Sequence, residues 1–173
     1  MRGRMEEASG GWMKVNCNRA FSMIKGETKK CAAGMRVVIR KGDGKVISGV
    51  ACKVKVCSNI EAEAVAIREG MELAKRMRIK KIEVENDSEI LYKRCIGKEN
   101  MTNWKMEPYV QDIQMLKDCF EEVKWSKVSR VANKAVDWLA NHVKKGMCLE
   151  NWVILPPSSL VHILSRDGLP APP

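Results

Sequence analysis

The sequence predicts an α/β domain in which a mixed five-stranded sheet is covered by helices, and three observations carry that expectation. Two Val/Ile-rich runs flank Gly42-Asp43-Gly44, a hairpin signal because glycine takes the positive φ the turn needs. At Ser58 the apolar spacing changes from alternation to a helical period. Beyond it, short alternating runs and helical runs follow one another to about residue 145, the order of a sheet extended by strands with intervening helices.

Taken in order, WMKVNCNRAF predicts the first strand, and GMRVVIRKGDGKVISGVACKVKV supplies the hairpin, so three antiparallel strands open the domain. In SNIEAEAVAIREGMELAKRM, Ile60, Ala64, Ile67, Met71 and Ala74 recur at helical spacing, while Ser58 and Glu61 form a capping box. KIEVEND returns to alternation, with Ile82 and Val84 on one face and Glu83, Glu85 and Asp87 on the other. SEILYKRC predicts a short second helix, and PYVQDIQMLKDCF a third that starts near Pro108. EEVKWSKVSR supplies the fifth strand, and Asn133 can cap a last helix, KAVDWLANHVKK. The expected order is β-β-β-α-β-α-α-β-α. Residues 1–11 read as a flexible tail, 12–145 as the domain and 146–173 as a proline-ended extension.

Composition narrows the function classes. The chain has 173 residues, enough for one domain with a real core and too few for two large ones. Lys plus Arg outnumber Asp plus Glu by 31 to 21, giving a net charge of +10. Such an excess favours a polyanionic partner, nucleic acid before an anionic membrane surface. Seven scattered cysteines without a CxxC pair fit neither a disulfide framework nor a zinc cluster. MRGRMEEASGG lacks the apolar core of a signal peptide, and no run reaches the roughly 20 apolar residues of a membrane span. These features predict an intracellular protein, nuclear or cytoplasmic, with no membrane contact and no disulfide-linked partner.

Three carboxylates stand out by position. Glu63 projects from the apolar face of its helix, where a carboxylate is costly unless paired or bound to metal. Asp87 ends an interior strand, where ligands sit in open α/β sheets, although that position also suits a helix N-cap. Asp137 lies in the first turns of the last helix, where the macrodipole favours an anion. Carboxylates converging from these places would need hard cations between them, Mg²⁺ or Mn²⁺.

The segments WMKVNCNRAF, AGMRVVIRKGDGKVISG, EAEAVAIREGMELA, IEVENDSEIL and WSKVSRVANKAVDWLAN together resemble the type 1 ribonuclease H family. Within it they are similar to the plant, retroelement reverse-transcriptase-associated form. The resemblance covers about residues 12–145. It implies a ribonuclease H-like fold and cleavage of the RNA strand of RNA–DNA hybrids by two Mg²⁺ ions about 3.5–4 Å apart. It also implies that Glu63, Asp87 and Asp137 are metal-binding and catalytic acids, and that Asn18 stands where the family has its first aspartate.

That substitution removes a charge from the implied metal site. Losing a unit charge about 4 Å from an ion costs roughly 4 kcal/mol per unit of ion charge at an effective dielectric near 20. Arg19 replaces the family's glycine beside it, and Lys127-Val-Ser129-Arg130 replaces the family's His-Val-Pro-Arg. A histidine there could relay protons, whereas lysine stays charged. Arg36 stands at or near a second family glycine, and Lys127, Arg130 and Lys134 flank the last acid as candidate phosphate contacts.

Three functions compete on this sequence. A ribonuclease H-like domain that binds nucleic acid with impaired cutting is favoured by the lost charge. An active hybrid ribonuclease would use Glu63, Asp87 and Asp137 alone. An interaction domain with no nucleic-acid role would spread its basic residues evenly over the surface.

Overall fold

The computed structural model describes residues 11–23, 31–98, 106–128, 158–159 and 161–162. The expected last helix, together with Arg130, Lys134 and Asp137, lies outside the described residues. Within them the order is β1 (Met13–Met23), β2 (Cys31–Lys41), β3 (Val46–Lys55), α1 (Asn59–Arg76), β4 (Lys81–Asn86), α2 (Glu89–Cys95), α3 (Glu107–Lys117) and β5 (Glu122–Lys127). The strands form one sheet in the order β3-β2-β1-β4-β5. The first three strands pair antiparallel, while β4 runs parallel to β1 on one side and to β5 on the other. The sheet is therefore mixed, as the sequence predicts.

The hairpin closes as its residues dictate. Gly44 takes φ 89° and its N–H donates to the Lys41 carbonyl at 2.9 Å. The Asp43 carboxylate accepts from the Lys45 N–H at 2.9 Å and so fixes the turn's far side.

Helix α1 begins at the anticipated cap, with Ser58 Oγ accepting from the Glu61 N–H at 3.2 Å. Glu61 also holds the chain before the helix, accepting from the Cys57 N–H at 2.6 Å, and takes the Tyr109 hydroxyl of α3 at 2.9 Å. One short carboxylate thus anchors a helix start and the neighbouring helix. Burial, assisted by the hydrogen bond to Glu61, raises the Tyr109 phenol.

The core lies between the sheet and this helix layer. Ala64, Ile67, Met71 and Ala74 are buried on α1 as the periodicity predicts, whereas Ile60 is only partly buried. Each large apolar side chain fully removed from water contributes about 1.5–3 kcal/mol. Val15 and Cys17 of β1 and Val37 of β2 meet the helix at Gly70. A Cβ there would lie 2.8 Å from Cys17 Sγ and 2.9 Å from Val15 Cγ1, so glycine sets how closely α1 approaches the sheet. Burial pushes the Cys17 thiol strongly up and the Cys95 thiol up to about 12, so both behave as small apolar groups. Val110, Ile113 and Leu116 of α3 complete the layer. No helix among the described residues is long and apolar enough to cross a membrane.

Candidate functional site

Strand alternation sorts the residues of β1 between two surroundings. Met13, Val15 and Cys17 face the core under α1, and Arg19 continues that side. Lys14, Asn16 and Asn18 take the opposite side. Asn18 is 4% exposed, and its register partner across the antiparallel ladder is Arg36, 0% exposed. Side chains directly opposite in such a ladder share a face. The short amide thus stands beside a buried guanidinium-bearing residue.

The parallel pairing of β1 with β4 matches Asn16 with Glu85. That is the last pair of the ladder: Asn18 follows two residues on within β1, and Asp87 follows two residues on from Glu85, just past the end of β4. The Asn86 side chain ties the two strands there, donating to the Cys17 carbonyl at 3.5 Å. Asp87 itself is half-buried and precedes Ser88, the residue before α2. It is not that helix's cap: Ser88 fills the position, its hydroxyl accepting from the Leu91 N–H at 3.4 Å.

Lys127 also comes to this end of the sheet. It is the register partner of Asn86, and its ammonium group lies 2.8 Å from Glu89 in the first turn of α2. Its side chain is about half exposed and remains accessible to solvent. With the Glu89 carboxylate held below its ordinary range by Lys127 and Lys93, the pair is a surface contact.

Glu63 occupies the apolar face of α1, 5% exposed, as its spacing predicts. Its partner is Arg19, whose Nη2 lies 2.7 Å from Glu63 Oε1. The backbone N–H of the same arginine donates to Asn18 Oδ1 at 2.6 Å. One residue therefore engages both the amide and the carboxylate at the positions where the resemblance implies metal ligands. The significance of Arg19 was half-legible in the sequence: a long cation next to Asn18 is visible, but its reach to a carboxylate 44 positions away is not.

A second buried carboxylate was not singled out from the sequence. Glu85 of β4 accepts from Lys14 Nζ at 3.0 Å and from Asn16 Nδ2 at 3.0 Å, and pairs with Arg40. Burial alone would raise its carboxyl, but the charges and hydrogen bonds of Arg40 and Lys14 outweigh that and hold it below the ordinary value. The signal that could have found it is the parallel register, since Asn16 and Glu85 each look like a polar intruder in its own strand. This explains Asn16 as a structural partner of Glu85.

Whether these residues fit a pair of divalent ions can be judged from the donors. Glu63 is already bound by a guanidinium, and Asn18 brings a neutral oxygen that is also engaged. Among the described residues, no three His, Cys, Asp or Glu side chains gather where an ion could be held. A doubly charged ion about 4 Å from the Arg19 guanidinium would meet roughly 8 kcal/mol of repulsion at an effective dielectric of about 20. Asp137, the third implied acid, lies outside the described residues; of the other positions, Glu63 is matched by a cation and Asn18 is neutral, a poor set for two divalent ions.

Comparison with known proteins agrees with the architecture. The reverse transcriptase-like family model matches residues 12–143, and the chain belongs to this family. Its fold is that of ribonuclease H. RNase H1 from the halophilic archaeon Halobacterium salinarum superposes with a TM-score of 0.70 at 20% identity, over 79% of this chain and 100% of that one. LC11-RNase H1, isolated from compost and solved in complex with an RNA/DNA hybrid, gives 0.67 at 17% identity, over 78% and 98% of the two chains. The protease-reverse transcriptase of prototype foamy virus gives 0.59 at 17% identity, over 80% of this chain and 21% of that one. None of the curated proteins matches the sequence significantly.

Proposed function

We propose that this chain is a ribonuclease H-like nucleic-acid-binding domain that takes RNA–DNA hybrid, and that its metal-dependent cleavage of the RNA strand is impaired. The observation that carries this reading is the pairing of Arg19 with Glu63 beside a neutral Asn18, which leaves the implied metal site short of charge. Glu63, Asp87 and Asp137 are the remaining acids for Mg²⁺ or Mn²⁺, whose binding is correspondingly weakened. A net charge of +10 suits a polyanion, and Lys127, half exposed and level with Asn86 at the end of β4, is offered for phosphate contact, with Arg130 and Lys134 as its companions in sequence.

An A-like hybrid hides its base edges in a deep, narrow groove, so recognition rests on backbone shape and 2′-hydroxyls. Binding is then insensitive to sequence and falls steeply with salt. The solved LC11-RNase H1 complex with an RNA/DNA hybrid supports the choice of ligand by fold alone.

The test is fluorescence anisotropy with a labelled hybrid over a salt series, beside gel analysis of the same hybrid in Mg²⁺ and in Mn²⁺. The reading expects salt-dependent binding with slow or absent cleavage. Efficient cutting that Asp87→Asn abolishes would replace it with an active ribonuclease relying on three acids. Failure to bind hybrid at low salt would point to an interaction domain instead.

A further inference from the structure

We propose that the Arg19 guanidinium is a built-in counter-cation for Glu63, occupying the approach that a divalent ion would need, so that the site is closed by two changes and not by Asn18 alone. This rests on the ribonuclease H-like reading of the site and deepens it.

The geometry supplies the reasons. A carboxylate buried on an apolar helix face must be compensated, and Glu63 Oε1 has a guanidinium nitrogen at 2.7 Å, the distance of a charge-assisted hydrogen bond. Arginine does not lose its proton at any ordinary pH, so the compensation is permanent. The same residue's N–H holds Asn18 Oδ1 at 2.6 Å, tying the second ligand position to the same segment of β1. Across the ladder Asn18 faces Arg36, which is fully buried.

The consequence separates two repairs. Asn18→Asp returns the missing carboxylate but leaves Glu63 bound to Arg19, so it gains little affinity for divalent ions. Asn18→Asp/Arg19→Ala frees Glu63 as well.

Electron paramagnetic resonance of free Mn²⁺ tests this with the full chain, the two variants above and Arg19→Ala. Hybrid affinity in the presence of a chelator is measured on the same four proteins. The proposal expects Asn18→Asp/Arg19→Ala to bind Mn²⁺ at least tenfold more tightly than Asn18→Asp. Equal affinities, or tight Mn²⁺ binding by the native chain, would overturn it. If the double variant does not fold, urea unfolding of Arg19→Gln, Glu63→Gln and Arg19→Gln/Glu63→Gln decides. Strong coupling, with the second change recovering most of the stability lost in the first, supports the counter-cation; additive losses overturn it. Loss of hybrid affinity with the Mn²⁺ pattern intact would sink the nucleic-acid reading alone and leave the counter-cation standing.

Discussion

Two buried carboxylates on the two sides of one sheet are handled differently, and the contrast separates structure from candidate chemistry. Glu85 is held by Lys14, Asn16 and Arg40, three donors from β1 and β2. Glu63, on α1, is matched among the described residues by Arg19. A carboxylate surrounded by several donors is a fixed part of the fold, because every lone pair has a direction to satisfy. One matched by a single guanidinium owes its charge balance to one side chain, so one substitution removes that balance.

The largest expected effect comes from breaking the crowded side. Glu85→Ala leaves Lys14, Asn16 and Arg40 without their common acceptor and should lower the unfolding free energy by about 3 kcal/mol, read by urea denaturation. If Glu85→Ala costs less than Arg19→Ala, the assignment of structural and functional roles is reversed.

Arg19→Ala should cost about 2 kcal/mol in the same assay, because Glu63 loses its compensation while the partly exposed arginine carries less of the penalty. Gly70→Ala tests whether the height of α1 matters to both. Its Cβ would crowd Cys17, Val15 and Val37, and the strain, less the gain in helix propensity, should amount to about 1 kcal/mol. A stabilised Gly70→Ala protein would mean that the helix settles elsewhere without penalty.

The pH dependence sharpens the same comparison more gently. The Glu85 carboxyl is lower in the folded protein than its ordinary 4.5, so the unfolded chain binds the proton more readily. The resulting stability is present above pH 4.5 and is lost as pH falls through the lower folded value. Native protein and Glu85→Gln, melted over an acid series, should converge at low pH; parallel curves would remove Glu85 as the cause. The smallest effect is expected at the surface. Lys127→Ala should leave the melting temperature nearly unchanged and reduce the salt slope of hybrid binding by about one. An unchanged slope would take Lys127 out of the phosphate contacts.

Much of the framework was legible in the residues. The hairpin at Gly42-Asp43-Gly44, the Ser58 cap of α1 and the buried position of Glu63 all follow from local pattern, whereas Glu61 takes the Cys57 N–H and not that of Ser58, so the expected capping box is only half formed. Asp87 was legible as a strand end but ambiguous as a cap, because Asp and Ser both suit that role and only the hydrogen bond to Leu91 assigns it to Ser88. Asn16 was not legible at all, since its partner lies 69 positions away.

By itself the sequence determined what depends on neighbours along the chain: period, caps and turn chemistry. Only the tertiary structure decided which charges meet. The parallel register of β1 with β4 chose Glu85 for Asn16, and the crossing of α1 over β1 chose Glu63 for Arg19. Periodicity states which face a side chain takes, but a charge pair depends on the distance between two faces, and that is fixed only when the layers pack.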